Sequence, residues 1–245
     1  MKNFKKLKKK KIKLKGFNNL QKILSINLFD YTIATSEFEK EEYVKYINQR
    51  YSAENIEKIT KEIVYSINAK ILDVSNQNFE PYGASSLTLL SENHTMHLDK
   101  SHISVHTYPE FENKDGILSY RVDIDISTCG DIIPLKALNI LFDYFETDIV
   151  VIDFLQRGYI TTIDNKKIYN DYNLKKISQY IKTNIKENYK IKDYKNKKKK
   201  FWQTKMLIKT PKIKDFFHPE KIIIKQDKKI FKKLKKEIKK IFKKL

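Results

Sequence analysis

The segment "GILSYRVDIDIST", residues 116–128, constrains the fold more than any other. Leu118, Tyr120, Val122, Ile124 and Ile126 alternate with Ser119, Arg121, Asp123 and Asp125. A period of two puts the five apolar side chains on one side of an extended chain and the polar set on the other. Such a strand needs neighbours for its backbone and a layer over its apolar side, which points to a half-buried antiparallel sheet.

The surrounding sequence supplies both. "SHISVHTYPEF" reads as a strand just before this one, with "NKDG" as the turn between them. "AKILDVSNQNFEPYG", "ASSLTLLSE" and "DIVVIDFLQRGYI" read as further strands, and Pro81 and Gly83 mark the turn between the first two. The covering layer comes from helices. Ser36 with Glu39 forms a capping box ahead of Tyr43, Tyr46 and Ile47. Ser52 and Glu54 open a second helix with a stripe of Ile56, Ile59, Ile63 and Val64. "IPLKALNILFDYFE" is a third, with Pro134 near its first turn. From about residue 170 the chain reads as helical and lysine-rich, with "KNKKKKFWQTKMLIK" as a charged linker. The tail places Ile230, Phe231, Leu234, Ile238, Ile241, Phe242 and Leu245 on one helical face. That face suits a helix docked on the sheet, or a basic helix lying on a membrane surface; docking is the preferred reading. The expected class is α+β, an antiparallel β-sheet covered by helices, in a single domain over residues 1–245. Residues 1–12 are expected to form a mobile basic arm.

Charge raises the question of a partner. Lys and Arg number 50 against 30 Asp and Glu, a formal +20. A polyanion partner is one reading. However, Arg50, Arg121 and Arg157 are the only arginines, and phosphate recognition favours the guanidinium fork. Lys, Ile, Asn and Tyr also share AT-rich codons, so compositional drift accounts for the excess without nucleic acid. The single cysteine, Cys129, excludes an internal disulfide and a Cys-rich zinc site. The basic N-terminus has no apolar stretch behind it, and no apolar run approaches the ~18 residues of a membrane span. A soluble, cytoplasmic protein with no membrane partner is expected.

Chemistry concentrates in the hairpin. His94, His97, His102 and His106 lie close in sequence, but no H-E-x-x-H helix holds them. They leave open a zinc-dependent hydrolase using the His94–His106 cluster, beside the basic nucleic-acid-binding reading; no metal ligands are assigned. If Lys114-Asp115-Gly116 is a three-residue loop with Gly in the left-handed position, Asn113 faces Ile117. Paired residue numbers then sum to 230, which sets Cys129 opposite Ser101. Ser101 and His106 differ in parity, so their cooperation within one chain requires a bend near Ser101.

"HLDKSHISVHTYPE", "DISTCGDIIPLKALN" and "DIVVIDFLQRGYI" closely resemble the pyruvoyl-dependent S-adenosylmethionine decarboxylase proenzymes of the enterobacterial type. "KLKGFNNL", "EPYGAS" and "TKMLIK" fit the same pattern, so the resemblance runs from about Lys13 onward. It implies self-cleavage between Lys100 and Ser101 into chains 1–100 and 101–245. Ser101 would attack the preceding carbonyl and end as a pyruvoyl group, with His106 as proton acceptor and Ser85 assisting. The pyruvoyl ketone would form a Schiff base with S-adenosylmethionine and act as electron sink while CO₂ leaves. Cys129 matches the family's proton donor, and Glu110 the carboxylate that holds the substrate's ribose hydroxyls. The implied product is decarboxylated S-adenosylmethionine, the aminopropyl donor for spermidine biosynthesis. The resemblance further implies Mg²⁺ as an activator and a homo-oligomer of cleaved protomers, with four of each chain as one arrangement.

Overall fold

The alternation of residues 117–128 meets a paired strand on each side. In the computed structural model, residues 14–34, 36–92, 101–112, 116–130, 132–145, 147–170, 173–211 and 228–245 are described. The strands are β1 (Leu14–Asn18), β2 (Gln21–Ile33), β3 (Ala69–Asn78), β4 (Ala84–Glu92), β5 (Ser101–Glu110), β6 (Ile117–Thr128), β7 (Ile149–Arg157), β8 (Ile160–Thr162), β9 (Lys167–Ile168), β10 (Tyr189–Asn196) and β11 (Phe201–Ile208). The helices are α1 (Glu37–Arg50), α2 (Ala53–Ser66), α3 (Leu138–Tyr144), α4 (Thr183–Lys186) and α5 (Lys228–Lys244). Eight strands form one antiparallel sheet in the order β10-β11-β7-β2-β6-β5-β4-β3; β1, β8 and β9 form a small second sheet. The α+β class is as expected.

Helices α1 and α2 start where their caps predict. The Ser36 hydroxyl accepts from the Glu39 amide, and the Glu39 carboxylate accepts from the Ser36 amide, each at 3.2 Å. Tyr43, Val44 and Ile47 of α1, with Ile56, Ile59, Ile63 and Val64 of α2, bury against one face of the sheet. Leu138 and Leu141 of α3 join them. This core meets Leu24, Ile26 and Leu28 of β2, Ile103 and Val105 of β5, and Val122, Ile124 and Ile126 of β6.

Among the described residues, the opposite face is covered only in part. Leu234, Ile238 and Phe242 of α5 pack on Tyr31, Ile117, Ile149, Val151 and Leu207. The tail is therefore docked on the sheet, as preferred from the sequence. Beyond α5, among the described residues, the face is open and carries polar side chains beside exposed Leu87, Leu89 and Tyr108. Ser104 and Asp153 are half-buried there, while His106 and Asp125 are exposed. Among the described residues, no helix is long and apolar enough to cross a membrane.

Two expectations need correction. Strand β2 was not anticipated, although it lies between β6 and β7 at the centre of the sheet. Its alternation is present in "KILSINL", but Lys22 occupies a buried phase and blurs it. Nor is the chain after residue 170 mainly helical. Residues 189–208 form the β10–β11 hairpin, and the lysine run at residues 197–200 is its turn. Trp202, Thr204 and Met206 are buried while Gln203 and Lys205 take the opposite face, a strand period masked by the surrounding lysine content. The basic arm, residues 1–12, lies outside the described residues.

The turn from β3 into β4 depends on a missing side chain. Gly83 has φ +110°, and a Cβ there would sit 1.9 Å from the Thr107 carbonyl oxygen. Thr107 in turn accepts from the Ala84 amide through its hydroxyl at 2.7 Å. Gly83→Ala should destabilise by at least the ~1–3 kcal/mol typical of a strained backbone position. A lower denaturant midpoint at unchanged slope is the expected reading.

Candidate functional site

Backbone register decides which site residues meet. β5 and β6 pair from His102↔Ser127 through Glu110↔Ser119, so paired numbers sum to 229. The expected sum of 230 is off by one. The described pairs therefore lie one residue away from the register that a three-residue loop predicts. Gly116 does carry a positive φ of +71°, whereas residues 113–115 lie outside the described residues.

Ser101 and Cys129 meet nevertheless. Ser101 opens β5, pairs with Leu90 of β4 and is 2% exposed. Its hydroxyl accepts from the Cys129 amide at 3.2 Å. The chain leaves β6 after Thr128 and turns at Gly130, where φ is +59°. The contact therefore comes through the Cys129 backbone and not through direct opposition across the ladder. The Cys129 thiol is half-buried.

His106 is elsewhere. Cross-strand pairing puts Ser85, His106, Asp123 and Asn27 in one row on the open face. Asn27 donates to Asp123 at 2.6 Å, and Arg121 reaches the same carboxylate at 3.0 Å. His106 stacks on Tyr108, with ring centroids 6.3 Å apart, and the Arg121 guanidinium lies 4.5 Å above Tyr108. Glu110 is exposed on the same face and accepts from the Ser119 hydroxyl at 2.7 Å. Nearby, burial raises the Asp153 carboxyl above its ordinary range, while donation from Gln203 at 2.9 Å opposes the shift.

Ser101 and His106 thus point to opposite faces. The bend required for them to cooperate within one chain is absent from β5. Its pairing with β4 runs unbroken from Ser101 to His106, and unbroken pairing preserves the pleat. Ser85 neighbours His106 and not Ser101. Lys100, His94 and His97 lie outside the described residues. His102 is half-buried, and among the described residues no three His, Cys, Asp or Glu stand together to hold a metal ion.

Two features went unread in the sequence. Asp123 and Asn27 continue the His106 row, a relation that depends on register. Lys22, fully buried behind the Cys129 turn, did leave a signal: a lysine in phase with Leu24, Ile26 and Leu28.

Residues 42–158, which span Ser85, Ser101, His106, Glu110 and Cys129, match the family model described as S-adenosylmethionine decarboxylase. The S-adenosylmethionine decarboxylase proenzyme of Hahella chejuensis is 41% identical over 218 residues, covering 81% of this chain and 83% of that protein. The chain belongs to this family. The proenzymes of Pseudomonas syringae pv. syringae, 41% identical, and Clostridium perfringens strain SM101, 40% identical, each cover 82% of the chain and 83% of their own length. Membership in the decarboxylase proenzymes does not favour the nucleic-acid-binding or zinc-hydrolase readings.

Proposed function

We propose that the chain is a self-processing, pyruvoyl-dependent enzyme that decarboxylates S-adenosylmethionine. Its product is the aminopropyl donor for spermidine biosynthesis, made in the cytoplasm. Family membership supports the reaction class. The observation that carries the assignment of residues is the contact between the Ser101 hydroxyl and the Cys129 amide at the end of the β5–β6 hairpin.

The residues present fit a pyruvoyl group at Ser101. Ser101 is buried, and its hydroxyl accepts from the Cys129 amide. In the proposed processing, Ser101 Oγ attacks the carbonyl carbon of Lys100, and the peptide C–N bond breaks to give an ester. His106 takes the Ser101 α-proton, the ester C–O bond breaks, and residues 1–100 leave with a carboxylate. One water then replaces the enamine nitrogen, which departs as ammonia, leaving the pyruvoyl group on chain 101–245. The nucleophile and its target are adjacent in the same chain, so the fold provides the effective concentration.

When formed, the pyruvoyl group supplies an electron sink for loss of CO₂. The remaining work falls to this chain's side chains. Cys129 delivers a proton to the substrate's α-carbon; a thiol with an ordinary pKa of ~8.5 is largely protonated at neutral pH. Glu110, oriented by the Ser119 hydroxyl, accepts from the ribose hydroxyls. Ser85, beside His106, assists processing.

His106 needs a route to Ser101. Five residues of straight strand separate them by about 16 Å, and they occupy opposite faces. We infer that His106 acts on a second protomer, within the homo-oligomer that the resemblance implies, with four of each cleaved chain as one arrangement. The exposed Leu87, Leu89 and Tyr108 make the open face suitable for such an assembly. Mg²⁺ activation belongs to the same resemblance with the enterobacterial type. No step above is routed through the ion.

The first test is intact mass. Purified wild type should appear as chain 1–100 and a blocked chain 101–245, whereas Ser101→Ala stays whole. A wild-type chain that remains whole, with an ordinary Ser101 peptide on digestion, defeats the reading. A second test addresses His106. Coexpressed Ser101→Ala and His106→Ala chains should yield cleavage of the His106→Ala chain only, because its serine can meet the partner's histidine. No cleavage in the mixture would return His106 to its own chain, and cleavage of the His106→Ala chain expressed alone would remove it from processing. A third test separates processing from turnover. Cys129→Ala should still cleave, with turnover lower by about 10²–10⁴-fold. It should also lose activity in the presence of substrate as the longer chain acquires an N-terminal alanine.

A further inference from the structure

Lys22 is a fully buried titratable group that the proposed chemistry does not use. Lysine is almost never buried to this extent without partners, because an ammonium leaves water at high cost. On β2 it shares a face with Leu24, Ile26 and Leu28, which form part of the core. Its cross-strand neighbours are Thr128 on β6 and Gln156 on β7. Thr128 lies one step beyond the His102↔Ser127 pair, level with Ser101. Ser101, Thr128, Lys22 and Gln156 therefore make a buried polar row at one end of the core-side face.

The partners of the ammonium are specific. Lys22 Nζ donates to the Gly130 carbonyl at 2.5 Å and to the Ile132 carbonyl at 3.1 Å. Both carbonyls belong to the turn that follows Cys129. The amide of Cys129 in turn donates to Ser101. One end of this turn is thus fixed on the serine and the other on the lysine, with the thiol between them. An apolar residue at position 22 could fill the space but could not hold two carbonyls.

We propose that Lys22 is a positioning residue of the decarboxylase, its ammonium holding the Gly130 and Ile132 carbonyls so that the Cys129 thiol is aimed at the substrate's α-carbon. This rests on the assignment of Cys129 as proton donor. Aim matters because a second carbon, on the pyruvoyl-derived group, lies two bonds from the correct one. A proton placed there, followed by hydrolysis of the resulting C=N bond by one water, leaves the substrate's amino nitrogen on the enzyme. The longer chain then begins with alanine, and the substrate leaves as CO₂ and an aldehyde. A displaced thiol should therefore raise the number of alanines formed per turnover, whereas a loss of stability alone should not.

The experiment compares processed wild type with full-chain Lys22→Met, Lys22→Gln, Leu24→Ala and Cys129→Ala, each incubated with S-adenosylmethionine. Released CO₂ counts turnovers. N-terminal sequencing counts alanine, since the pyruvoyl chain is blocked to it. Leu24→Ala is the control for lost stability on the same face of the same strand. Lys22→Met should form about 10- to 100-fold more alanine per turnover than wild type, the scale expected for a misplaced catalytic group. Lys22→Gln, which keeps a donor, should fall between them. If both Lys22 variants stay at the Leu24→Ala level while Cys129→Ala forms alanine, the proposal is overturned and the Cys129 reading stands. If Cys129→Ala forms none, that reading fails, and this proposal with it. Failure of both Lys22 variants to fold also overturns the proposal, because the lysine then serves the fold and not the aim of the thiol.

Discussion

The structure depends on one unbroken run of antiparallel backbone pairing from β4 through β5, β6, β2 and β7 to β11. No register shift interrupts these ladders; the main sheet's shift lies further out, between β3 and β4. Because side chains alternate with period two, that continuity assigns every residue of the central strands to a face, and a slip of one residue would exchange the faces. Ile103, Val105, Val122, Ile124 and Ile126 are thereby committed to the helical core. His106, Asp123 and Asn27 are committed with equal rigidity to the open side.

The same rigidity separates the site into two parts. Ser101 and Cys129 meet at the end of the sheet, where β5 begins and β6 ends. His106, Ser85 and Glu110 are carried on the open face. Neither part can move toward the other without breaking ladder bonds on both edges of β5. A catalytic set divided in this way is naturally completed by a second protomer facing the open side, which links the proposed assembly to the proposed chemistry.

Local consistency fails at one end of the buried face, where a lysine stands among the buried side chains, and the failure is informative. The face that buries Leu24, Ile26 and Leu28 ends in Ser101, Thr128, Lys22 and Gln156, four polar residues where the pattern calls for apolar ones. Departures of this kind collect where function competes with packing. The lysine also hid the strand that contains it. β2 is central and 13 residues long, yet a cation in a buried phase weakened the alternation by which β6 was recognised. Lysine content masked β10 and β11 in the same way.

The sequence by itself determined the class of fold, the capped helices α1 and α2, the strands β3 to β7 and the docking face of α5. Those features follow from local periodicity and capping, which depend on neighbours along the chain. It also singled out Ser101, His106, Glu110 and Cys129, through motifs long enough to identify a family. Only the tertiary structure decided how these residues stand to one another. The hairpin sum is 229 and not 230, a difference of one that changes the partner of every residue along the ladder. Cys129 consequently meets Ser101 through its amide, and His106 stands beside Asp123. The partners of Lys22 were equally out of reach of the sequence. Its acceptors lie more than a hundred residues away along the chain, and only sheet closure between β2 and β6 brings them to its ammonium.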